Sequence, residues 1–389
     1  MICFPFKQKW YIAMCIGSMR YQTRKRIFGA IATMLVVLAV IVVIWRVRTL
    51  PDPFYNRDFR AALRNAQEAS ARDDLRAIAR DLSSTALTGY PLQSVSRFAV
   101  GSDRTIVIVD SESGSVERFS PTGAYMGPLG SRGSGPSTYQ EPADVAVDTD
   151  GFMVVDFKKR RVNSYLASGV FRSSFIYSLQ GFSATRVYSL APSAVILFGN
   201  EWIRNDGTGK PSATIAHIYD FAGGFKGSYV QLPGYVADLQ LFGIDAPIVT
   251  GGNLGEVIFS FPFEYQIHKL DTNGALKTID LKPPSSFRPP TSSPILEVGK
   301  LKAYRSWLLT WSEIVAICKT PRGYVVEYQT FDPLRYTIDI WDSTGLHLLH
   351  QYHTNAKILT SLPDGDVWLL SNIDWLGSQP YQVLHGTLF

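Results

Sequence analysis

The sequence predicts an all-β fold, a six-bladed β-propeller preceded by a transmembrane helix and an amphipathic stalk helix. Three observations predict it. First, an apolar residue followed four positions later by a glycine recurs as Phe119/Gly123, Tyr165/Gly169, Tyr219/Gly223, Leu270/Gly274 and Trp341/Gly345, with the glycines 46, 54, 51 and 71 residues apart. A period of roughly 45 to 55 residues is that of four-stranded blades arranged in a ring. Second, short apolar runs alternate with tight turns, as in Val145–Val147, the turn Asp148-Thr149-Asp150-Gly151, and Phe152–Val155. That pattern makes hairpins. Third, 19 Tyr, 22 Phe and 8 Trp against 18% charged residues favour strand packing over helical bundles or disorder, and 31 Gly with 22 Pro supply the turns.

Residues 27–45 contain no charged side chain, and at about 1.5 Å per residue they reach roughly 28 Å, close to the thickness of a hydrocarbon core. They are read as a membrane-spanning helix, with Trp45 as an interfacial anchor. The compact group Arg24-Lys25-Arg26, with Lys7 and Lys9 upstream, makes residues 1–26 a basic cytoplasmic tail and sends the rest of the chain across the membrane. No small-residue cleavage site follows the apolar run, so the segment reads as an uncleaved signal-anchor. Pro51 and Pro53 then end the helix. Within residues 46–84, Phe59, Leu63 and Ala66, then Leu75, Ile78 and Leu82, recur at three- and four-residue steps, the spacing of an amphipathic stalk helix.

The propeller is assigned to residues 85–389. Blade one begins at Val95–Val100 and ends near Leu129. Blade two contains the Val145–Val155 hairpin and runs to Ser178. Blade three holds Val187–Leu190, Val195–Phe198, Thr214–Phe221 and Tyr229–Leu232. Blade four holds Pro247–Thr250, Val257–Phe261, Tyr265–Leu270 and Leu276–Leu281, and blade five Glu313–Cys318, Tyr324–Tyr328, Tyr336–Trp341 and Leu346–Tyr352. Blade six holds Lys357–Leu362, Val367–Leu370 and Tyr381–His385 and lacks a fourth strand. Thr85–Leu92 is the segment expected to supply it, closing the ring and removing a free sheet edge. Between blades four and five, residues 283–311 form an insertion. Its prolines 283, 284, 289, 290 and 294 are followed by a predicted helix over 299–311, in which Leu301, Tyr304, Leu308 and Trp311 share one face. Tyr304, Trp307 and Trp311 are the binding residues expected at the channel mouth.

Around blade two the sequence resembles the NHL-repeat class of six-bladed propellers, within the wider TolB-like and NHL group. The lead-in Gly133-Ser-Gly135-Pro136-Ser-Thr-Tyr139-Gln-Glu-Pro142, the turn Asp148-x-x-Gly151, Val154-Val155-Asp156 and Arg161-Val162 follow that class's pattern. Lys159 stands where the class commonly has Asn. Blades one and six keep the fragments Ile108-Val109-Asp110 and Pro363-Asp364-Gly365. The resemblance implies a propeller without implying an activity, since such rings bind proteins, peptides or RNA and a few are enzymes.

The chemical motifs point away from several classes. Lys158-Lys-Arg-Arg161 is one small basic patch in a turn, and no nucleic-acid partner is expected from it. His347, His350 and His353 cannot share one ion in a strand, because His350 faces away from the other two, which lie about 20 Å apart. Neither a nucleophile elbow nor a phosphate loop occurs in the ring, and Cys318, between apolar neighbours, reads as a core residue. No cofactor is expected for a binding or scaffold module, whose ligand would be a protein, peptide or saccharide. The alternative is a calcium-dependent hydrolase of the lactonase or esterase type, for which Asp144, Asp148, Asn200, Glu201, Asn253 and Glu313 are the available oxygen donors. A reporter fused after Phe389 tests the orientation: a reporter active only outside the cytoplasm is expected, and cytoplasmic activity reverses it.

Overall fold

The computed structural model describes residues 79–177, 181–190, 194–201, 214–231, 233, 248–251, 255–290, 310–331, 334–354, 357–362, 366–371 and 381–388. The predicted spanning helix at 27–45 and the stalk up to residue 78 lie outside them. Among the described residues no helix is long and apolar enough to cross a membrane.

Six four-stranded antiparallel sheets make up the ring. Strand β1 (Ala79–Ala86) precedes blade one, which is β2 (Val95–Val100), β3 (Ile106–Asp110), β4 (Ser115–Phe119) and β5 (Tyr125–Pro128). A short parallel pair, β6 (Ser131–Arg132) with β7 (Thr138–Tyr139), occupies the glycine-rich lead-in. Blade two is β8 (Pro142–Asp148), β9 (Gly151–Asp156), β10 (Arg161–Leu166) and β11 (Phe171–Ile176). Blade three is β12 (Phe182–Leu190), β13 (Ala194–Glu201), β14 (Thr214–Tyr219) and β15 (Phe225–Gln231). Blade four is β16 (Ile248–Gly251), β17 (Glu256–Ser260), β18 (Gln266–Asp271) and β19 (Leu276–Asp280), and blade five is β20 (Ser312–Thr320), β21 (Gly323–Phe331), β22 (Leu334–Asp342) and β23 (Leu348–Thr354). Blade six combines β24 (Lys357–Ser361), β25 (Asp366–Ser371) and β26 (Gln382–Leu388) with β1, in the order β1-β26-β25-β24.

The ring therefore closes as expected, with a strand from the amino-terminal side completing blade six, but through a different segment. The closing strand is Ala79–Ala86, paired from Ala79↔Leu388 to Ala86↔Gln382, in place of Thr85–Leu92. This also takes residues 79–84 out of the predicted stalk helix. The helical spacing of Leu75, Ile78 and Leu82 is a local preference, and a row of unpaired main-chain groups along β26 outweighs it. Residues 87–92 instead cross to blade one, burying Leu87 and Leu92, while Thr88 bridges Ala124.

Two repeated devices explain the sequence markers. The apolar marker residues Phe119, Tyr165, Tyr219, Leu270 and Trp341 are all buried. In each of the five turns after them the glycine has positive φ, from 75° to 90°, and its N–H donates three residues back, as from Gly274 to Asp271 O (3.1 Å). Glycine is required there for a second reason. A Cβ at Gly123 would lie 2.1 Å from Ala86 O, because the last part of one blade's outer strand rests on the next blade's turn. The second device is the aspartate closing the second strand. Asp156 is fully buried and accepts the N–H groups of Gln140, Glu141, Lys158 and Lys159 at 2.7–3.2 Å, joining its own turn to the incoming chain. Asp110 does the same in blade one with Gln93, Ser94, Glu112 and Ser113. This is the physical content of the Val-Val-Asp and Ile-Val-Asp motifs.

Hydrophobic burial follows the ring. Among the described residues each of the six junctions between neighbouring blades holds its own apolar cluster, so the core is a set of inter-blade layers. The junction of blades four and five is sealed by residues 281–288, where Phe287 packs on Tyr265 and Tyr328 and Ser286 bonds the Tyr328 hydroxyl at 2.6 Å. Asp156→Ala removes the acceptor of four part-buried N–H groups and is expected to destabilise the ring by about 2–4 kcal/mol, less than the sum of about 1–3 kcal/mol for each lost bond because part-exposed N–H groups can turn to water. Urea unfolding monitored by tryptophan fluorescence checks this, and an unchanged midpoint contradicts it.

Candidate functional site

The first strand of each blade runs inward along the axis, and its opening end lies on the face that carries the second-to-third turns. There β2, β8, β12, β20 and β24 each contain a register shift, at Val95/Arg97, Pro142/Asp144, Ala184/Arg186, Ile314/Ala316 and Ile358/Thr360. A bulge at this place bends the strand and re-aims the next side chain. In three consecutive blades the residues so placed are Arg97, Asp144 and Arg186, and they form one charged cluster.

Asp144 is buried; its carboxylate accepts the Val187 N–H at 3.0 Å and lies 3.8 Å from the Arg97 guanidinium. Burial raises its pKa above the usual carboxylate range, opposed first by the charge of Arg186 and then by that of Arg97. The two arginines are held alike, each Nη1 donating to the carbonyl of its bulged neighbour: Arg97 to Ser96 O, Arg186 to Thr185 O at 2.9 Å. Tyr188, two residues beyond Arg186, has its phenol pKa raised, chiefly by burial and then by the charge of Asp144. Guanidiniums such as these bind anionic groups by paired hydrogen bonds.

The donors proposed for calcium are not gathered at one point among the described residues. Asp148 is four residues further along β8, about 13 Å at 3.3 Å per residue. It accepts Thr149 N–H and Ser189 Oγ–H at 2.8 and 3.2 Å. Glu313 belongs to blade five and accepts from Gln329 Nε2 at 2.8 Å. Asn200 and Glu201 end β13, and Asn253 lies outside the described residues. No group of three or more His, Cys, Asp or Glu able to hold a metal is found among the described residues. His350 and His353 lie on β23, where His353 Nδ1 meets Thr337 Oγ1 at 3.1 Å, and His347 lies in the turn before it.

Of the expected binding residues, Tyr304 and Trp307 lie outside the described residues. Trp311 is half-buried and directly precedes β20, whose Ser312 exchanges hydrogen bonds with Arg288 at 2.8 and 2.9 Å. Both described ends of the 283–311 insertion therefore meet at the opening end of an inner strand, on the same face as the charged cluster. The basic run has structural work on this face as well. Lys159 Nζ donates to Gly135 O, Thr138 O and Thr138 Oγ1 at 2.8–3.0 Å, and Arg161 donates to Pro136 O at 2.9 Å, tying the lead-in to the turn. Cys318 is buried in the layer between blades five and six.

Sequence reasoning missed Arg97, Arg186 and Tyr188. The one available signal was an arginine inside each of two apolar inner strands, Ser96-Arg97-Phe98 and Thr185-Arg186-Val187.

Comparison with solved structures decides the architecture. This chain has the six-bladed β-propeller fold. A protein of Bacteroides fragilis described as exported matches with a TM-score of 0.56 at 14% identity, over 82% of this chain and 98% of that one. A DUF4221 family member from Bacteroides vulgatus matches with a TM-score of 0.53 at 8% identity, over 80% of this chain and 97% of that one. A gluconolactonase from Xanthomonas campestris gives 0.47 at 14% identity, over 82% and 93%, too distant to carry its chemistry across. No protein-family model matches the chain, and no curated protein matches it in sequence.

Because the folded Asp144 has a raised pKa, the folded state holds its proton at pH values where the unfolded chain has released it. Its contribution to stability is full below about pH 4 and is lost as pH rises through the folded value. Asp144→Asn is expected to remove that downward slope in unfolding free energy measured from pH 4 upward. A slope identical to the parent's contradicts the assignment.

Proposed function

We propose that this protein is a membrane-anchored, extracytoplasmic propeller of NHL type that acts as a binding module, taking an anionic group of a peptide or saccharide at the mouth formed by blades one to three. The observation that carries this reading is the Arg97–Asp144–Arg186 cluster, placed by three equivalent bulges. The buried carboxylate orients two guanidiniums, and guanidiniums recognise carboxylates and phosphates by paired hydrogen bonds. Trp311, at the described end of the insertion, adds an aromatic side chain on the same face, and a polar anchor beside an apolar wall is the mixture typical of ligand sites.

The anchor and the location rest on the uncharged 27–45 segment and its basic flank. The NHL assignment rests on blade two's motifs and on the structural work done by Asp110 and Asp156.

Binding of acidic peptides and uronic-acid oligosaccharides by the full chain in detergent tests the reading. Arg97→Met and Arg186→Met are each expected to weaken an observed acidic ligand by about tenfold or more, one charge-assisted contact being worth about 1.5–3 kcal/mol. Calcium-dependent lactone hydrolysis that survives both arginine variants and is lost in Asp144→Asn would overturn it in favour of a hydrolase.

A further inference from the structure

The other face of the ring carries the first-to-second and third-to-fourth turns. The two turn classes meet there: Ala167 N–H, in the third-to-fourth turn of blade two, donates to Asp150 O in the first-to-second turn at 3.1 Å. The residues opposite the marker positions on the outer strands are Tyr125, Phe171, Phe225, Leu276 and Leu348. In blades one and two these side chains are partly covered; Tyr125, for example, stacks on Tyr90 at 5.0 Å. In blades three to five they are exposed: Phe225 is 49% and Leu276 50% accessible, and Leu346, in the turn before Leu348, reaches 70%. Equivalent positions in a ring lie at one height, so these side chains form an arc along one rim.

Exposed Lys226 and Lys277 follow Phe225 and Leu276 directly. Long basic side chains beside exposed apolar ones can bury their stems while their ammonium groups reach phosphate. On this face the carboxylates of Asp220, Asp271 and Asp342 accept the N–H groups of their own turns, and Asp220 also pairs with Lys226 Nζ at 3.2 Å, leaving Lys277 and Lys269 as the lysines offered to a phosphate. Between blades four and five a cleft of about 430 Å³ is lined by Lys269, Lys319, Thr320, Tyr324 and Ser343. In it Lys269 Nζ stands 5.0 Å above the Tyr324 ring, and Lys319 pairs with Glu256.

The chain's path selects the partner. Strand β1 starts at Ala79, opposite Leu388 at the far end of β26, so it enters the ring at this same turn-bearing face. The described chain, whose sequence upstream holds the uncharged 27–45 segment, thus begins at this face. We propose that the rim of blades three to five rests on the membrane surface. Phe225, Leu276, Leu346 and Leu348 enter the headgroup region, and the Lys269 cleft takes a lipid phosphodiester. Apolar side chains combined with flanking lysines are the pattern of interfacial binding. The inference rests on the anchor reading for its direction, and it leaves the Arg97–Asp144–Arg186 mouth facing away from the bilayer.

The test uses the full chain, with Cys3 and Cys15 changed to Ser, reconstituted into vesicles of phosphatidylcholine and phosphatidylglycerol carrying brominated acyl chains. A bimane probe is attached at Leu346→Cys or, on the opposite face, at Ser111→Cys. Quenching at 346 is expected to exceed that at 111 at least threefold, and Phe225→Asp with Leu276→Asp is expected to abolish the difference without altering the far-ultraviolet circular dichroism. Equal quenching at both sites overturns the proposal, as does a 346 probe shielded by a second copy of the chain and untouched by lipid. An alkaline wash after the measurement tests the anchor separately: a chain that washes off after strong quenching at 346 refutes the anchor and retains the docking face.

Discussion

The pairing of Ala79–Ala86 with Gln382–Leu388 is the constraint on which the rest of the structure depends. Without it blade six has three strands and an open edge, and the apolar layer between blades six and one, with Trp368, Val383 and Phe98, loses its outer cover. The same pairing brings the two ends of the described propeller together, Ala79 beside Leu388. Because the outer end of β1 rests on Gly123, the closing strand also inserts blade six into the rule followed by other junctions, where the end of one blade's outer strand meets the next blade's turn glycine. At Gly274 the contact is with the Tyr229 ring and at Gly345 with Ile279 and Leu281.

Most of the polar residues that stand out in the sequence are consumed by this construction. Asp110 and Asp156 bind the main chain at the entry to each of their blades, and Asp220, Asp271 and Asp342 bind the amides of their turns. Lys159 gathers three oxygens of the lead-in with its ammonium group. Asp339, buried and accepting Tyr265 Oη–H and a Gln351 amide, belongs to the seal between blades four and five, where burial raises its pKa. Arg97 and Arg186 stand outside these two repeated devices, each held to the carbonyl of its bulged neighbour.

The candidate site was less legible than the fold. Asp144 was picked out from sequence as a carboxylate, with calcium as the chemistry considered for it, and only the tertiary structure brings the charges of Arg97 and Arg186 to it from neighbouring blades. These three residues lie more than 40 positions apart in sequence, and each is turned to the mouth by a bulge, an extra residue that no periodicity announces. The aromatic candidates followed a different logic. Trp311 takes its place from the hydrogen bonds of Ser312 and Arg288, which put the ends of the insertion on the mouth face.

The sequence alone determined the repeat, its period, the left-handed glycines and the need for a strand from the amino-terminal side. Each of these is written in local chemistry: alternation of apolar residues, a turn that excludes a Cβ, and an odd strand at the carboxyl end. Only the tertiary structure decided which segment closes the ring, since the helical spacing predicted up to Leu82 runs into Ala79–Ala86 and the unpaired edge of β26 overrides it there. It likewise decided that three charges from three blades meet, and that the exposed apolar residues of blades three to five share a rim. Such facts depend on superposing distant repeats around one axis, and a linear pattern contains the repeats without containing the axis.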